Sequence, residues 1–175
     1  MLRDLRKYRL SEFSIKVLRP LPGPSEEKKS MDITQLLSVE HKVILRQVHY
    51  LEKLMKVTRS EKTVCCLREM TMLIADTVQR HSSLEDKFLF PEIGRYFNEE
   101  KNFIAMMEFE HGEILGIMPV LENADDPKLV RKEIENFIKS LRSHFLKEET
   151  SYFPYAKKKL GVNRLRVLGN KAIKI

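Results

Sequence analysis

One spacing occurs twice in this chain and restricts its folding more than any other feature. His81 is followed by Glu85 at +4, Phe90 at +9 and Pro91 at +10; His144 is followed by Glu148, Phe153 and Pro154 at the same offsets. A shorter pair accompanies it, Glu40-His41-x-x-Ile44-Leu45 and Glu110-His111-x-x-Ile114-Leu115. Matching segments in the order short, long, short, long are the mark of one hairpin present in two copies.

The segments between these marks have helical character. Only 6 Gly and 7 Pro interrupt 175 residues that are 42% hydrophobic and 33% charged, which disfavours a turn-dense all-β chain. Leu36, Leu37, Val43, Ile44, Val48, Leu51 and Met55 predict a first helix from Asp32 to about Lys56, capped by Asp32 or Thr34. A second, capped by Ser60, should run to Phe90, where Pro91 should kink or stop it. Asn98 opens a third that reaches Pro119 or Leu121, and Asp126-Pro127 opens a fourth toward Phe153-Pro154 and Leu160. Short connections make this an all-α, antiparallel, up-down-up-down four-helix bundle.

At about 1.5 Å of rise per residue, His41, His81, His111 and His144 fall within about 6 Å of one level. Glu85 and Glu148 share a helix face with the histidine four residues before each. Four imidazoles and two carboxylates can therefore converge inside the bundle. Leaving them there uncompensated costs several kcal/mol per ion. Two divalent cations resolve this: each takes two histidines, and both share Glu85 and Glu148 as bridges. A mixed imidazole and carboxylate set suits iron, with manganese and zinc as alternatives, whereas magnesium and calcium prefer oxygen ligands.

Over about residues 32 to 158 this set resembles the hemerythrin-like HHE cation-binding domain family. The resemblance implies a bridged non-haem di-iron site that binds O2 or NO. Carried over by residue, His41, His81, His111 and His144 are terminal metal ligands and Glu85 and Glu148 bridges. Oxygen carriers of the family have a further histidine four residues after the third-helix ligand, where this chain has Leu115. Four histidines with two glutamates look more like the branch with iron-centre repair proteins and the iron-sensing domain of an F-box protein. The repair proteins usually carry a cysteine-bearing N-terminal domain, and residues 1–30 contain no cysteine.

Other residues receive plainer readings. Glu149 is the alternative to Glu148 as ligand. Glu40 and Glu110 can orient ligands but read first as solvated rim acids. His49, eight residues past His41 and about 12 Å higher, stands outside the set. Tyr152 and the methionines read as packing. Cys65 and Cys66, adjacent and so poorly placed for a disulfide, suggest packing and a reducing compartment.

Residues 1–30 read as an extension and linker, 31–160 as the di-iron bundle, and 161–175 as a basic, solvated tail. The ends carry the net charge of +7: residues 1–30 hold 8 basic and 4 acidic groups, residues 155–175 hold 7 and none, leaving 17 against 21 between them. A slightly acidic centre argues against specific nucleic-acid reading. With no apolar run long enough to span a bilayer and no secretory block, the expectation is a soluble, cytoplasmic protein. Sensing, scavenging or iron handling leads; a di-iron enzyme reducing NO or peroxide is the alternative, and a metal-free interaction module the third. No flavin motif or electron-entry cysteine pair favours turnover. Oligomeric state is left open.

Overall fold

A computed structural model describes residues 31–57, 61–96 and 101–174. The expectations for residues 1–30 and for caps at Ser60 and Asn98 lie outside the described residues. Helix α1 (Ile33–Val57) is opened by Asp32, whose Oδ1 accepts from the Gln35 amide at 2.9 Å while Gln35 Oε1 accepts from the Asp32 amide at 3.3 Å. This reciprocal pair satisfies two donors that a helix start otherwise leaves open. Ile33, Leu37, His41, Ile44, Val48 and Leu51 form its buried face at steps of three and four.

The second rod does not stop at its proline. Helix α2 (Glu61–Leu84) passes into a π-turn, Glu85–Leu89, and continues as α3 (Phe90–Tyr96). Proline lacks an amide hydrogen and its ring clashes with the carbonyl four residues back. Widening the helix by one residue just ahead of Pro91 relieves both, and the Phe90 N–H donates to the Glu85 carbonyl, five residues back. The fourth rod repeats the device: α6 (Pro127–Lys147), a π-turn at Glu148–Tyr152, then α7 (Phe153–Ala172), with the Phe153 N–H donating to the Glu148 carbonyl. Such single π-turns concentrate at functional sites. The third rod comprises α4 (Lys101–Leu115) and α5 (Ile117–Asn123), broken at Gly116 because Pro119 cannot donate to the Leu115 carbonyl. Asp126 caps α6 as expected, accepting from the Lys128 amide at 2.9 Å.

α1 packs on α2, α2 on α4 and α6, and α4 on α6, giving an all-α antiparallel four-helix bundle. Its core is divided in two. Ile44, Val48, Ile74, Val78, Ile114 and Leu141 belong to one apolar cluster, and Leu37, Leu84, Leu89, Met107, Tyr152 and Phe153 to the other. His41, His81, His111 and His144 occupy the level between them on their four helices. None of the helices is long and apolar enough to cross a membrane among the described residues.

The basic C-terminal run is not a solvated tail. Gly161 turns the chain with φ 71°, a left-handed conformation that favours glycine, and a further helical stretch folds back along α1. Leu165, Leu168 and Ala172 join the second apolar cluster, while Lys157, Lys158 and Arg166 stay outside. Arg164 grips the buried Glu92 with two hydrogen bonds, Nε to Oε1 at 2.9 Å and Nη2 to Oε2 at 2.7 Å. At Gly169 the helix touches the start of α1 so closely that a Cβ would strike the backbone of Met31, Asp32 and Ile33. Gly169→Ala should cost about 1 to 3 kcal/mol through this overpacking, read as a melting-temperature drop of about 2 to 4 °C for each kcal/mol. Cys65 and Cys66 are both exposed on α2, so the packing role expected of them is not found.

Candidate metal centre

All six candidates from the repeat meet in the polar layer, each at 4% exposure or less. They fall into two groups, His41, His81, Glu85, Glu148 and Glu85, His111, His144, Glu148, whose ligand atoms lie within 4.8 Å of one another. Both groups contain both carboxylates. Glu148 spans them, Oε2 lying 2.9 Å from His41 Nε2 and Oε1 3.0 Å from His144 Nε2. Glu85 Oε2 lies 3.3 Å from His111 Nε2 and 3.7 Å from His81 Nε2. His41 Nε2 and His81 Nε2 are 2.9 Å apart. His49 is exposed and takes no part.

The outward nitrogens are held as well. His41 Nδ1 is 2.8 Å from Glu149 Oε1, His81 Nδ1 2.9 Å from Glu40 Oε2, and His144 Nδ1 3.0 Å from Glu110 Oε2. His111 Nδ1 lies 3.3 Å from Asp86 Oδ1, within ion-pair range but without good hydrogen-bond alignment. Glu40 and Glu110 are therefore partly solvated acids that also hold an imidazole of the next helix, and Glu149 faces an imidazole instead of the centre. Asp86 was missed altogether; its signal was its position, directly after Glu85 as Glu149 is directly after Glu148.

With Nδ1–H donating outward, the Nε2 lone pairs point inward, and two of them meet at 2.9 Å beside carboxylate oxygens. Lone pairs so close repel unless a proton or a cation lies between them. Both oxygens of Glu85, both of Glu148, and Nε2 of His111 and His144 are buried without a well-aligned hydrogen-bond partner. Two nitrogens about 2.1 Å from one ion stand about 3 Å apart at a right-angled ligand pair, close to the His41–His81 spacing. The donor set fits cations of the transition series.

Residues 32–156 match the Hemerythrin HHE cation binding domain. This chain belongs to that family. No match was found among curated proteins or solved structures. As a hemerythrin-family cation-binding domain, the protein shows why its repeat includes phenylalanine. Phe153 of the second hairpin stacks on His41 of the first, centroids 5.4 Å apart and planes at 10°, and Phe90 of the first stacks on His111 of the second at 5.7 Å and 9°. Each π-turn thus brings a ring over the imidazole of the opposite hairpin. Phe145, with no aromatic counterpart at Ser82, adds a face at 4.0 Å from His41.

Protons compete for this hemerythrin centre when metal is absent. Burial opposes the imidazolium at His111, yet Asp86 and Glu85 outweigh it and push the pKa up to about 10. Burial is likewise overcome at His41 by Glu148 and Glu149, and at His144 by Glu148 and Glu110, so both are raised. Burial also works against the Glu148 carboxylate, but the adjacent His144 and His41, at 3.0 and 2.9 Å, hold its pKa well below the usual range when they carry protons. Burial, then repulsion from Glu148, push Glu85 up. Metal entry must displace these protons. Metal affinity should therefore keep rising with pH through neutrality, up to about tenfold per pH unit for each proton displaced. Calorimetry in buffers of different ionisation enthalpy should show net proton release at pH 7. An affinity that is flat above pH 7, without proton release, would contradict this.

Proposed function

We propose that this protein holds a bridged non-haem di-iron pair and binds a small diatomic ligand, O2 or NO, in sensing, scavenging or iron handling. His41 and His81 would hold one ion, His111 and His144 the other, and Glu85 and Glu148 both. The observation that carries the reading is that two four-residue groups share the same two buried carboxylates. Manganese and zinc satisfy the same donors, and iron is preferred because imidazole mixed with carboxylate suits it best.

Leu115, partly buried against the first apolar cluster, occupies the place four residues after His111. Each ion would then be held by two imidazoles and two carboxylates, which would leave room for a small ligand. Bound iron would supply affinity for diatomic molecules and access to two oxidation states. The protein's own groups orient the imidazoles, exclude water with Phe90, Phe145 and Phe153, and hold protons on the outward nitrogens. The exposed Cys65 and Cys66 suit a reducing, cytoplasmic setting.

Metal quantification after iron-supplemented expression, with optical spectra under air and under NO, tests the proposal. Two irons per chain and a spectrum that changes stoichiometrically with NO are expected. Fewer than one transition metal per chain would leave a metal-free helical module. Repeated consumption of NO or peroxide with a reductant would move the protein to the enzyme class.

A further inference from the structure

We infer that Glu40, Asp86, Glu110 and Glu149 form a closed circuit of positioning residues that sets the four imidazoles before metal arrives and favours the more highly charged state of the bound pair. The inference rests on the di-iron reading above. Each acid sits on one rod of the bundle and each imidazole on the next. Glu40 of α1 meets His81 of α2, at 2.9 Å. Asp86, in the π-turn after α2, meets His111 of α4 at 3.3 Å. Glu110 of α4 meets His144 of α6 at 3.0 Å. Glu149, in the second π-turn, returns to His41 of α1 at 2.8 Å.

Local sequence makes this circuit. Neighbouring residues on a helix point about 100° apart, so Glu40-His41 and Glu110-His111 each send an imidazole inward and an acid sideways to the next rod. Glu85-Asp86 and Glu148-Glu149 do the same from the π-turns, with the inward residue a carboxylate. Rotating any one rod breaks two links, so the circuit ties ligand orientation to bundle register.

Its charge acts too. An acid on the far nitrogen of an imidazole increases the basicity of the near one. Six carboxylates surround the centre, counting Glu85 and Glu148, and Lys147 on Glu110 offsets one of them; the surplus negative charge favours the more highly charged pair. The outer acids are partly solvated, from 22% exposed at Glu110 to 43% at Asp86. Solvent weakens their field without removing the three hydrogen bonds or the Asp86–His111 contact.

Two substitutions at one position separate geometry from charge. Glu40→Gln keeps an acceptor for His81 Nδ1–H and removes the charge; Glu40→Ala removes both. Glu113→Gln, an exposed acid on α4, is the control. On the full chain, iron(II) affinity is read by chelator competition without oxygen, and the midpoint potential of the loaded protein by spectroelectrochemistry. Glu40→Ala should bind about 10- to 100-fold more weakly. Glu40→Gln should keep its affinity within a few-fold and shift the potential upward, by about 59 mV for each tenfold loss of preference for the oxidised state. Glu110→Ala should repeat the affinity loss in the other hairpin. Variants that load like wild type with potentials equal to the Glu113→Gln control overturn the circuit while sparing the di-iron reading. A wild type that takes up no metal pair overturns both.

Discussion

Glu148→Ala should lose both metal ions, whereas His111→Ala should lose one. Glu148 approaches an imidazole of each group, His41 at 2.9 Å and His144 at 3.0 Å. Removing it takes a donor from both positions and leaves two inward nitrogens near each other with only Glu85 to offset the cations. His111 belongs to one group only. The backbone should tolerate either change, because the π-turn is imposed by Pro154 and alanine is a good helix former. Iron per chain by elemental analysis, with far-ultraviolet circular dichroism to confirm helicity, checks the pair. About one iron retained in Glu148→Ala would mean that this carboxylate is not shared.

Stripping the metal should lower stability, and more so at higher pH. A ligand present at 1,000 times its dissociation constant stabilises the folded state by about 4 kcal/mol, which corresponds to about 10 °C in a chain of this size. The pH trend of the metal-free protein comes from its shifted groups. His41, His111 and His144 have folded pKa values above their ordinary 6.5. Their stabilisation is complete below 6.5 and is lost as pH rises, through about 10 for His111. Glu148 is depressed from 4.5, so its contribution is present above that value and is lost as pH falls further. Glu85 is raised from 4.5, so its contribution is lost as pH rises above that value. The metal-free protein should therefore be most stable on the acid side of 6.5, where the loaded protein begins to lose its ions to protons. The holo-minus-apo difference in melting temperature should consequently widen from pH 6 to pH 8. Equal melting temperatures with and without metal at pH 8 would count against the centre.

The six inward residues were legible because duplication separates a ligand pattern from the background of ordinary helical histidines. Rise per residue along the rods places them on one level from the sequence alone. Other features were hidden for physical reasons. Apolar periodicity does not register a single added residue, so the π-turn at Glu85 read as a kink or stop at Pro91 and the one at Glu148 left no sign, although the proline itself creates the need for each. Glu40 and Glu110 looked solvated because their partners lie on neighbouring rods, and a helix-face argument within one rod does not reveal a contact across two. Asp86 and Glu149 follow the same logic from the other side. The C-terminal helix was concealed by its lysines and arginines: Leu165, Leu168 and Ala172 supply a narrow buried stripe that composition alone reads as a charged tail.

Anomalous diffraction from iron-loaded crystals, recorded on both sides of the iron edge, tests the central claim most directly. Two iron peaks should appear in the polar layer, both within bonding distance of Glu85 and Glu148, one beside His41 and His81 and the other beside His111 and His144. A single peak, or peaks outside that layer, would contradict a shared pair.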